Sequence, residues 1–318
     1  MVGQPRDVAH LRASRGRDHV HRASGQGRGE DVATGLRTRR NDAHDRPGAA
    51  IPANIFVIGL DDLGRQLIEE LPEAARHDVR PLLPTDAVVK ADAYDYDQLV
   101  EDANEQMRQV DGTVDGIVTW WDFPSSGLAP LLGELWDTYG PTLGSVLRLE
   151  HKYWSRLVQR AVAPDNVPAF AVFEPDDEVA METITDQGVE LPFWVKPVKS
   201  VASYLGFKVE TEEDLLEAQR RIDAEIDQYG EPFQQAMDRV HLPPDIRHIG
   251  ARACVAESLI GGRQCTLEGY VSHGDVTVYG VVDSQVHDGT STLANRSACD
   301  SDGRVLTSRI QSWPVPSS

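Results

Sequence analysis

Residues 193–197 (FWVKP) form an apolar segment of strand length that contains a lysine. Burying a charged side chain inside a strand is costly unless a partner accompanies it. Lys196 therefore either needs an anion or carries its ammonium group out to solvent along its flexible stem. Residues 198–203, which follow, are small and polar. Their backbone N–H groups and hydroxyls could therefore cover phosphate groups.

A second lysine, Lys152, lies upstream in residues 149–156 (LEHKYWSR), and the whole chain has only five lysines. Apolar residues recur around it at near-helical spacing, which predicts one helix over residues 147–163. The scarcity of lysine makes these two positions, one on a helix and one on a strand, the first candidates for binding an anion.

A third segment, residues 255–264 (VAESLIGGRQ), predicts a strand that ends near Glu257 and turns at two glycines. The apolar residues between the glutamate and the glycines would make a flat hinge. Its backbone could bond the edge of a purine while the apolar side chains pack against the base. Taken alone, the segment is more simply explained as an ordinary hairpin.

In their order along the chain, residues 149–156, 193–203 and 255–264 resemble the ATP-grasp superfamily, which includes carboxylate–amine ligases, D-alanine ligases, carbamoyl-phosphate synthetase and biotin carboxylase. The resemblance covers about residues 51–284 and implies ATP as the bound nucleotide. It implies that Lys152 reaches the α-phosphate and Lys196 the α- and β-phosphates, while Glu257 accepts a hydrogen bond from the adenine amino group. The implied nucleotide-binding residues are Lys152, Lys196, Ser200, Ser203, Glu257, Ser258, Leu259, Ile260 and Gln264.

The chain departs from the family pattern after the hinge. Gln264 stands where the family commonly places an acidic ribose ligand, although a glutamine can still bond a hydroxyl. The family holds Mg²⁺ with an acidic residue and a later Glu-x-Asn, and no such pattern follows here. Asp283 could touch a metal, but a turn residue is the simpler account. Mg²⁺ is thus expected for the family, while no metal ligand and no catalytic residue is assigned in this chain.

Strands alternate with helical patterns over residues 51–146, which predicts βαβ units and a parallel sheet. By the resemblance, this region is an α/β pre-ATP-grasp domain. An α+β ATP-grasp domain follows over residues 147–288. Its first lobe is expected over about residues 147–249, and an incomplete second lobe over about residues 250–288.

The two ends of the chain do not resemble this fold. Residues 1–50 carry ten arginines, no lysine and six acidic residues, with almost no periodic apolar positions. We expect there a disordered tail or translation from a start site placed too far upstream. Residues 289–318 show no strand alternation, and we expect a non-homologous tail produced by a frameshift or truncation. Because metal ligands and part of the second lobe would then be missing, catalysis is expected to be impaired.

The resemblance implies an ATP-dependent ligase that joins a small-molecule carboxylate to an amine, or to a thiol, through an acyl phosphate. A biotin carboxylase-like enzyme is a variant within the same class. One alternative is a non-catalytic nucleotide-binding protein. Another is an NAD-dependent Rossmann enzyme, since Gly59 and Gly64 lie at a strand-to-helix turn. That alternative lacks the G-x-G-x-x-G fingerprint and leaves Lys152 and Lys196 unexplained.

Composition limits the partners. The net charge of −20 argues against nucleic acid, because phosphate binding requires a surplus of lysine and arginine. No apolar run approaches the roughly 20 residues that span a bilayer, and no signal peptide is recognisable. Cys254, Cys265 and Cys299 lack paired metal spacing, so we expect reduced thiols in a cytoplasmic protein. The oligomeric state is left open.

Overall fold

The structure, a computed structural model, describes residues 52–89, 91–201, 203–262, 265–286 and 293–296, and beyond residue 281 it describes the backbone alone. These residues form a three-stranded parallel sheet, a four-stranded antiparallel sheet and a three-stranded antiparallel sheet. The predicted fold class, an α/β domain with a parallel sheet followed by an α+β domain, is therefore confirmed. The expectations for residues 1–50 and for most of residues 289–318 lie outside the described residues.

The parallel sheet has the order β2-β1-β3, so its most apolar strand is central. Its strands are β1 (Ala53–Ile58), β2 (His77–Leu82) and β3 (Gly116–Val118), and the accompanying helices are α1 (Asp62–Glu69), α2 (Thr85–Val89), α3 (Tyr96–Arg108) and α4 (Ser125–Leu135). Phe56 and Ile58 are buried in a core shared with α3 and α4. Helices α1 and α3 begin where Asp61 and Asp95 accept hydrogen bonds from backbone N–H groups of the first turn.

Close packing explains the glycines at the turn after β1. Gly59 has a positive φ of 65°, and a Cβ there would lie 2.8 Å from Val88 and 2.9 Å from Trp121. A Cβ at Gly64 would lie 2.2 Å from the ring of Trp120. Both positions therefore require glycine for packing, without any bound dinucleotide.

The four-stranded sheet has the order β4-β7-β5-β6, with every neighbouring pair antiparallel. Its strands are β4 (Phe170–Phe173), β5 (Phe193–Pro197), β6 (Phe207–Val209) and β7 (Cys254–Ser258), and the helices of this part of the chain are α5 (Leu143–Glu150), α6 (Lys152–Val162), α7 (Ala180–Asp186), α8 (Glu212–Glu225), α9 (Asp227–Met237) and α10 (Pro244–Arg247). One face of the sheet, with Val195 and Ala256, packs against α7 and α8. The other face packs against α6. Because side chains alternate along a strand, Lys196 and Glu257 lie on the α6 side.

The prediction of one helix over residues 147–163 is wrong. The chain leaves helical geometry at His151, whose φ and ψ are −73° and 101°. The imidazole Nδ1 of His151 accepts a hydrogen bond from the N–H of Trp154, 3.2 Å away, and so caps a new helix. The break makes Lys152 the first residue of α6.

Residues 212–229 are an acidic stretch whose pattern predicts a single helix, but they too belong to two helices, α8 and α9. Ile226, at the junction, is buried in the core of the antiparallel sheet. Phe233 and Met237 of α9 are buried instead in the core of the parallel sheet. The two helices therefore contribute to different cores.

The third sheet is an antiparallel meander of β8 (Cys265–Ser272), β9 (Asp275–Val286) and β10 (Leu293–Arg296). Residues 289–318 were expected to show no strand pattern, but β10 lies within them and pairs with β9. The turn between β8 and β9 contacts the α/β part, where the Tyr139 and His273 rings stack with centroids 5.2 Å apart.

Candidate functional site

The candidate site contains an ion pair between two strands of the four-stranded sheet. Lys196 on β5 is opposite Val255, and Glu257 on β7 is opposite Trp194, so the two side chains are diagonal neighbours on one face. Lys196 Nζ lies 2.6 Å from Glu257 Oε2. Of the two environments expected for Lys196, the structure therefore shows the paired one, and the anion is Glu257, a second residue of the predicted site.

A second cation, which sequence reasoning missed, holds the other oxygen of Glu257. Arg156 Nε lies 2.6 Å from Glu257 Oε1, and a guanidinium NH₂ of Arg156 donates to Gln159 Oε1 at 2.5 Å. Burial alone would raise the pKa of Glu257, but the hydrogen bond from Arg156 and the charge of Lys196 hold it below its ordinary value. Glu257 is therefore a buried, ionised acceptor.

Lys152 reaches the segment that follows β5. Its Nζ lies 3.0 Å from the carbonyl oxygen of Ser200 and 3.2 Å from the Ser200 hydroxyl. Its backbone N–H donates to the carbonyl of Val198 at 2.8 Å. Burial, followed by the charges of Lys199 and Lys196, lowers the pKa of Lys152 to about 7. The ammonium group is therefore poised to gain or lose its proton near neutral pH.

The helix break that places Lys152 is itself buried. His151 is fully buried, and within the described residues its Nε2 has no hydrogen-bond partner. Burial, with the nearby charge of Lys152, lowers the pKa of this imidazole to about 4, so it is neutral at pH 7. A neutral cap adds no further positive charge beside Lys152.

Lys199 is a third lysine at the site and was also missed. Only 5% of it is exposed, and its Nζ lies 2.6 Å from Glu150 Oε2. The same ammonium group lies 5.1 Å from the ring centroid of Phe123 and 5.7 Å from that of Phe233. Glu150 also accepts a hydrogen bond from the Ser126 hydroxyl. This buried group anchors the segment after β5 to the ends of α4 and α5.

The predicted phosphate-covering segment is tightly folded. Ser203 and Leu205, neither of them glycine, have positive φ values of 62° and 57°. Such backbone is strained and persists only where surrounding contacts hold it. Ser200 bonds Lys152, whereas Ser203 is exposed and its carbonyl accepts from the N–H of Gly206 at 3.2 Å. The structure therefore brings Ser200 to the lysines and leaves Ser203 at the surface.

The hinge after β7 is open. The N–H of Ser258 donates to the carbonyl of Ala169 at 2.9 Å, which closes the strand. Leu259 and Ile260 follow with 37% and 78% of their surfaces exposed, so each has an apolar face free for a planar ligand. Gln264 lies outside the described residues.

The site holds more positive than negative charge. Its cationic side chains are Lys152, Arg156, Lys196 and Lys199, and its carboxylates are Glu150 and Glu257. This surplus occurs in a chain whose net charge is −20. A polyanion would neutralise it. Sequence signals for the missed residues existed, because Arg156 is one helical turn from Lys152 and Lys199 is three residues after Lys196.

The residues that the structure describes do not form a binding site for a divalent metal. No group of three or more potential metal-binding His, Cys, Asp or Glu side chains occurs in the described part of the chain. Both oxygens of Glu257 are engaged by cations, and the side chain of Asp283 is outside the described set. No helix in the described part of the chain is long and apolar enough to span a membrane.

No protein-family model and no curated protein matches the chain. Several solved structures are similar. An L-amino acid ligase from Bacillus licheniformis matches with a TM-score of 0.48 and 16% identity, over 74% of this chain and 52% of that one. D-alanyl-alanine synthetase A from Vibrio cholerae matches with a TM-score of 0.48 and 12% identity, over 75% of this chain and 68% of that one.

An ADP complex of N5-carboxyaminoimidazole ribonucleotide synthetase matches with a TM-score of 0.49 and 13% identity, over 76% of this chain and 56% of that one. This chain thus spans between about half and two thirds of the length of these proteins. All three are ligases or synthetases. At TM-scores below 0.5 the likeness carries no further conclusion.

Proposed function

We propose that this chain binds ATP in the manner of an ATP-grasp protein and that its activity is that of an ATP-dependent carboxylate–amine or carboxylate–thiol ligase. The observation that carries the proposal is the surplus of partly buried cations around Glu257, a buried and ionised acceptor. Lys152 and Lys196 supply charge for phosphates, and Glu257 offers an oxygen to an amino group. An exposed apolar hinge adjoins them. Few ligands other than a nucleoside polyphosphate combine these three requirements.

In this proposal, phosphate oxygens replace the internal partners of the lysines. Lys152 would exchange Ser200 for one phosphate, and Lys196 would exchange Glu257 for another, while Lys199 keeps its bond to Glu150. Phosphoryl transfer depends mainly on positioning and on neutralising developing charge. In the described part of the chain, Lys152 and Lys196 would supply the positive charge for this neutralisation.

The proposed chemistry has two displacements. A carboxylate oxygen of the substrate attacks the γ-phosphorus of ATP, the bond from that phosphorus to the bridging oxygen breaks, and ADP leaves. The amine nitrogen, or a thiolate, then attacks the acyl carbon, phosphate leaves, and the amine gives up a proton. No step is assigned to a metal, because the described residues do not form a site for one.

Hydroxylamine gives a direct test of the ligase proposal, because it converts an acyl phosphate to a stable hydroxamate. The full chain is incubated with ATP, hydroxylamine and a panel of small carboxylates, and both ADP and hydroxamate are measured. Equal amounts of ADP and hydroxamate with a subset of carboxylates would support the ligase. Tight ATP binding with no hydroxamate from any carboxylate would instead support the non-catalytic nucleotide-binding alternative.

A further inference from the structure

Two cations approach different oxygens of one buried carboxylate. Arg156 lies 2.6 Å from Oε1 of Glu257, and Lys196 lies 2.6 Å from Oε2. The Glu257 side chain is 8% exposed, whereas the Arg156 and Lys196 side chains are 23% and 27% exposed. Removing both cations would leave a buried carboxylate without compensation, which is strongly unfavourable.

The two cations are held differently. A second hydrogen bond fixes Arg156 to Gln159, whose amide in turn donates to the Ser155 hydroxyl at 3.1 Å, so the guanidinium belongs to a network along α6. Lys196 has no acceptor other than Glu257 in the part of the chain that the structure describes. Lys196 can therefore turn toward a new anion, while Arg156 stays in place.

In the proposed function, Lys196 moves away from Glu257 to bind a phosphate. One oxygen of Glu257 then becomes free, and the other remains bonded to Arg156. A carboxylate that stays ionised only accepts hydrogen bonds. It would therefore favour the amino group at the 6-position of adenine and disfavour the carbonyl oxygen of a 6-oxo purine.

We propose that Arg156 is a positioning residue that keeps Glu257 ionised and correctly oriented while Lys196 binds phosphate, and that it thereby makes the site prefer a 6-amino purine over a 6-oxo purine. The inference rests on the proposed nucleotide binding. If Arg156 is absent and Lys196 moves to a phosphate, neither cation holds the pKa of Glu257 down. Burial then raises this pKa and favours the protonated form. A protonated carboxyl can donate to a 6-oxo group, so the preference would be lost.

The test compares binding of ATP and inosine triphosphate to the full chain by calorimetry at pH 6 and pH 8. The variants are Arg156→Met and Arg156→Lys, with Arg160→Met as the matched control. Arg160 is on the same helix, one turn further along, and stacks on Phe170 instead, 4.6 Å from the ring centroid. Circular dichroism establishes that each variant is folded.

We expect the wild-type chain and Arg160→Met to prefer ATP by about tenfold or more, because a buried acceptor is left facing another acceptor in the inosine complex. Arg156→Met should bring the two affinities to within about twofold at pH 6, with the ratio rising toward pH 8. Arg156→Lys should restore most of the preference. Lys152 also titrates near neutral pH and its charge acts on Glu257, so the effect of Arg156 is taken as the difference between the pH profiles of Arg156→Met and Arg160→Met, in both of which Lys152 is unchanged.

Three results would overturn the inference. Equal wild-type affinity for the two nucleotides would show that Glu257 does not select the base. An unchanged ratio and pH profile in folded Arg156→Met would show that Arg156 is only structural. Absence of binding of either nucleotide by the wild-type chain would remove the proposed function itself, which distinguishes that failure from the other two.

If Arg156→Met does not fold, Arg156→Gln, which keeps a donor but no charge, takes its place with the same expected loss of preference.

Discussion

The ammonium group of Lys152 lies 3.0 Å from the carbonyl oxygen of Ser200 and 3.2 Å from its hydroxyl, which joins the first residue of α6 to the segment after β5. The backbone N–H of the same lysine donates to Val198. Two hydrogen-bonding groups of one residue thus hold a strained segment, in which Ser203 has a positive φ. A ligand that draws Lys152 away would loosen this segment at the same moment as it binds.

Binding of ATP should be accompanied by proton uptake at pH 8. The pKa of Lys152 is lowered to about 7, so at pH 8 most of this lysine is neutral. A nearby polyphosphate favours the charged form and raises that pKa, which draws about one proton from the buffer. Calorimetric enthalpies in buffers of different ionisation enthalpy measure the number of protons. Lys152→Met should abolish the uptake, and an unchanged uptake in this variant would contradict the assignment.

The stability of the unliganded chain should rise with pH above neutrality because of Lys152. Its pKa in the folded state, about 7, is below its ordinary value of 10.5, so between these limits the unfolded state binds the extra proton. Each pH unit in this window should add at most about 1.4 kcal/mol. Urea unfolding at pH 7 and pH 9 measures the slope. Lys152→Met should flatten it, and an equal slope in both proteins would exclude Lys152 as its source.

Replacing Lys199 by methionine should destabilise the chain strongly. The substitution leaves Glu150 without its ammonium partner in a largely buried position, where the Lys199 and Glu150 side chains are only 6% and 18% exposed. Breaking such a pair costs about 3–5 kcal/mol. The matched control is Lys208→Met, which removes an exposed lysine paired with Glu210 and should change stability by no more than about 1 kcal/mol. Equal losses in the two variants, measured by urea unfolding, would argue against the buried anchor.

Gly59→Ala should destabilise the parallel-sheet part of the chain by about 1–3 kcal/mol. The new Cβ would require a left-handed backbone and would approach Val88 and Trp121 to 2.8 and 2.9 Å. Gly140→Ala is the control, because a Cβ there meets nothing within 4 Å and its φ is not positive. Thermal unfolding compares them, and an alanine at position 59 that proves as harmless as one at position 140 would refute the packing account.

The strands and one helix start could be predicted because their signals are local. The observed β5 has the bounds expected from its apolar run, and the expected strand before the hinge contains β7. Thr211 and Asp214 have the residue types and spacing of a capping box, and they form one at the start of α8 because all the atoms involved lie within one turn.

The missed features depend on residues distant in sequence. The break at His151 combines a local cap with a distant contact, because the N–H of Lys152 donates to the carbonyl of Val198, 46 residues later in the chain. Arg156 enters the site because β7 brings Glu257 to α6 from 101 positions away. Periodicity within a helix reports which face is apolar, but it does not report which strand that face meets. The nucleotide-binding residues inferred from the sequence resemblance remain predictions.

The central claim, that this chain binds ATP through Lys152 and Lys196, is tested most directly by calorimetric titration of the full chain with ATP, with and without Mg²⁺. Lys196→Ala removes one of the proposed phosphate contacts, and Lys208→Ala removes a surface lysine on the neighbouring strand as a control. We predict saturable binding by the wild-type chain and by Lys208→Ala, and at least about tenfold weaker binding by Lys196→Ala. No binding by a folded wild-type chain, or equal binding by all three proteins, would contradict the claim.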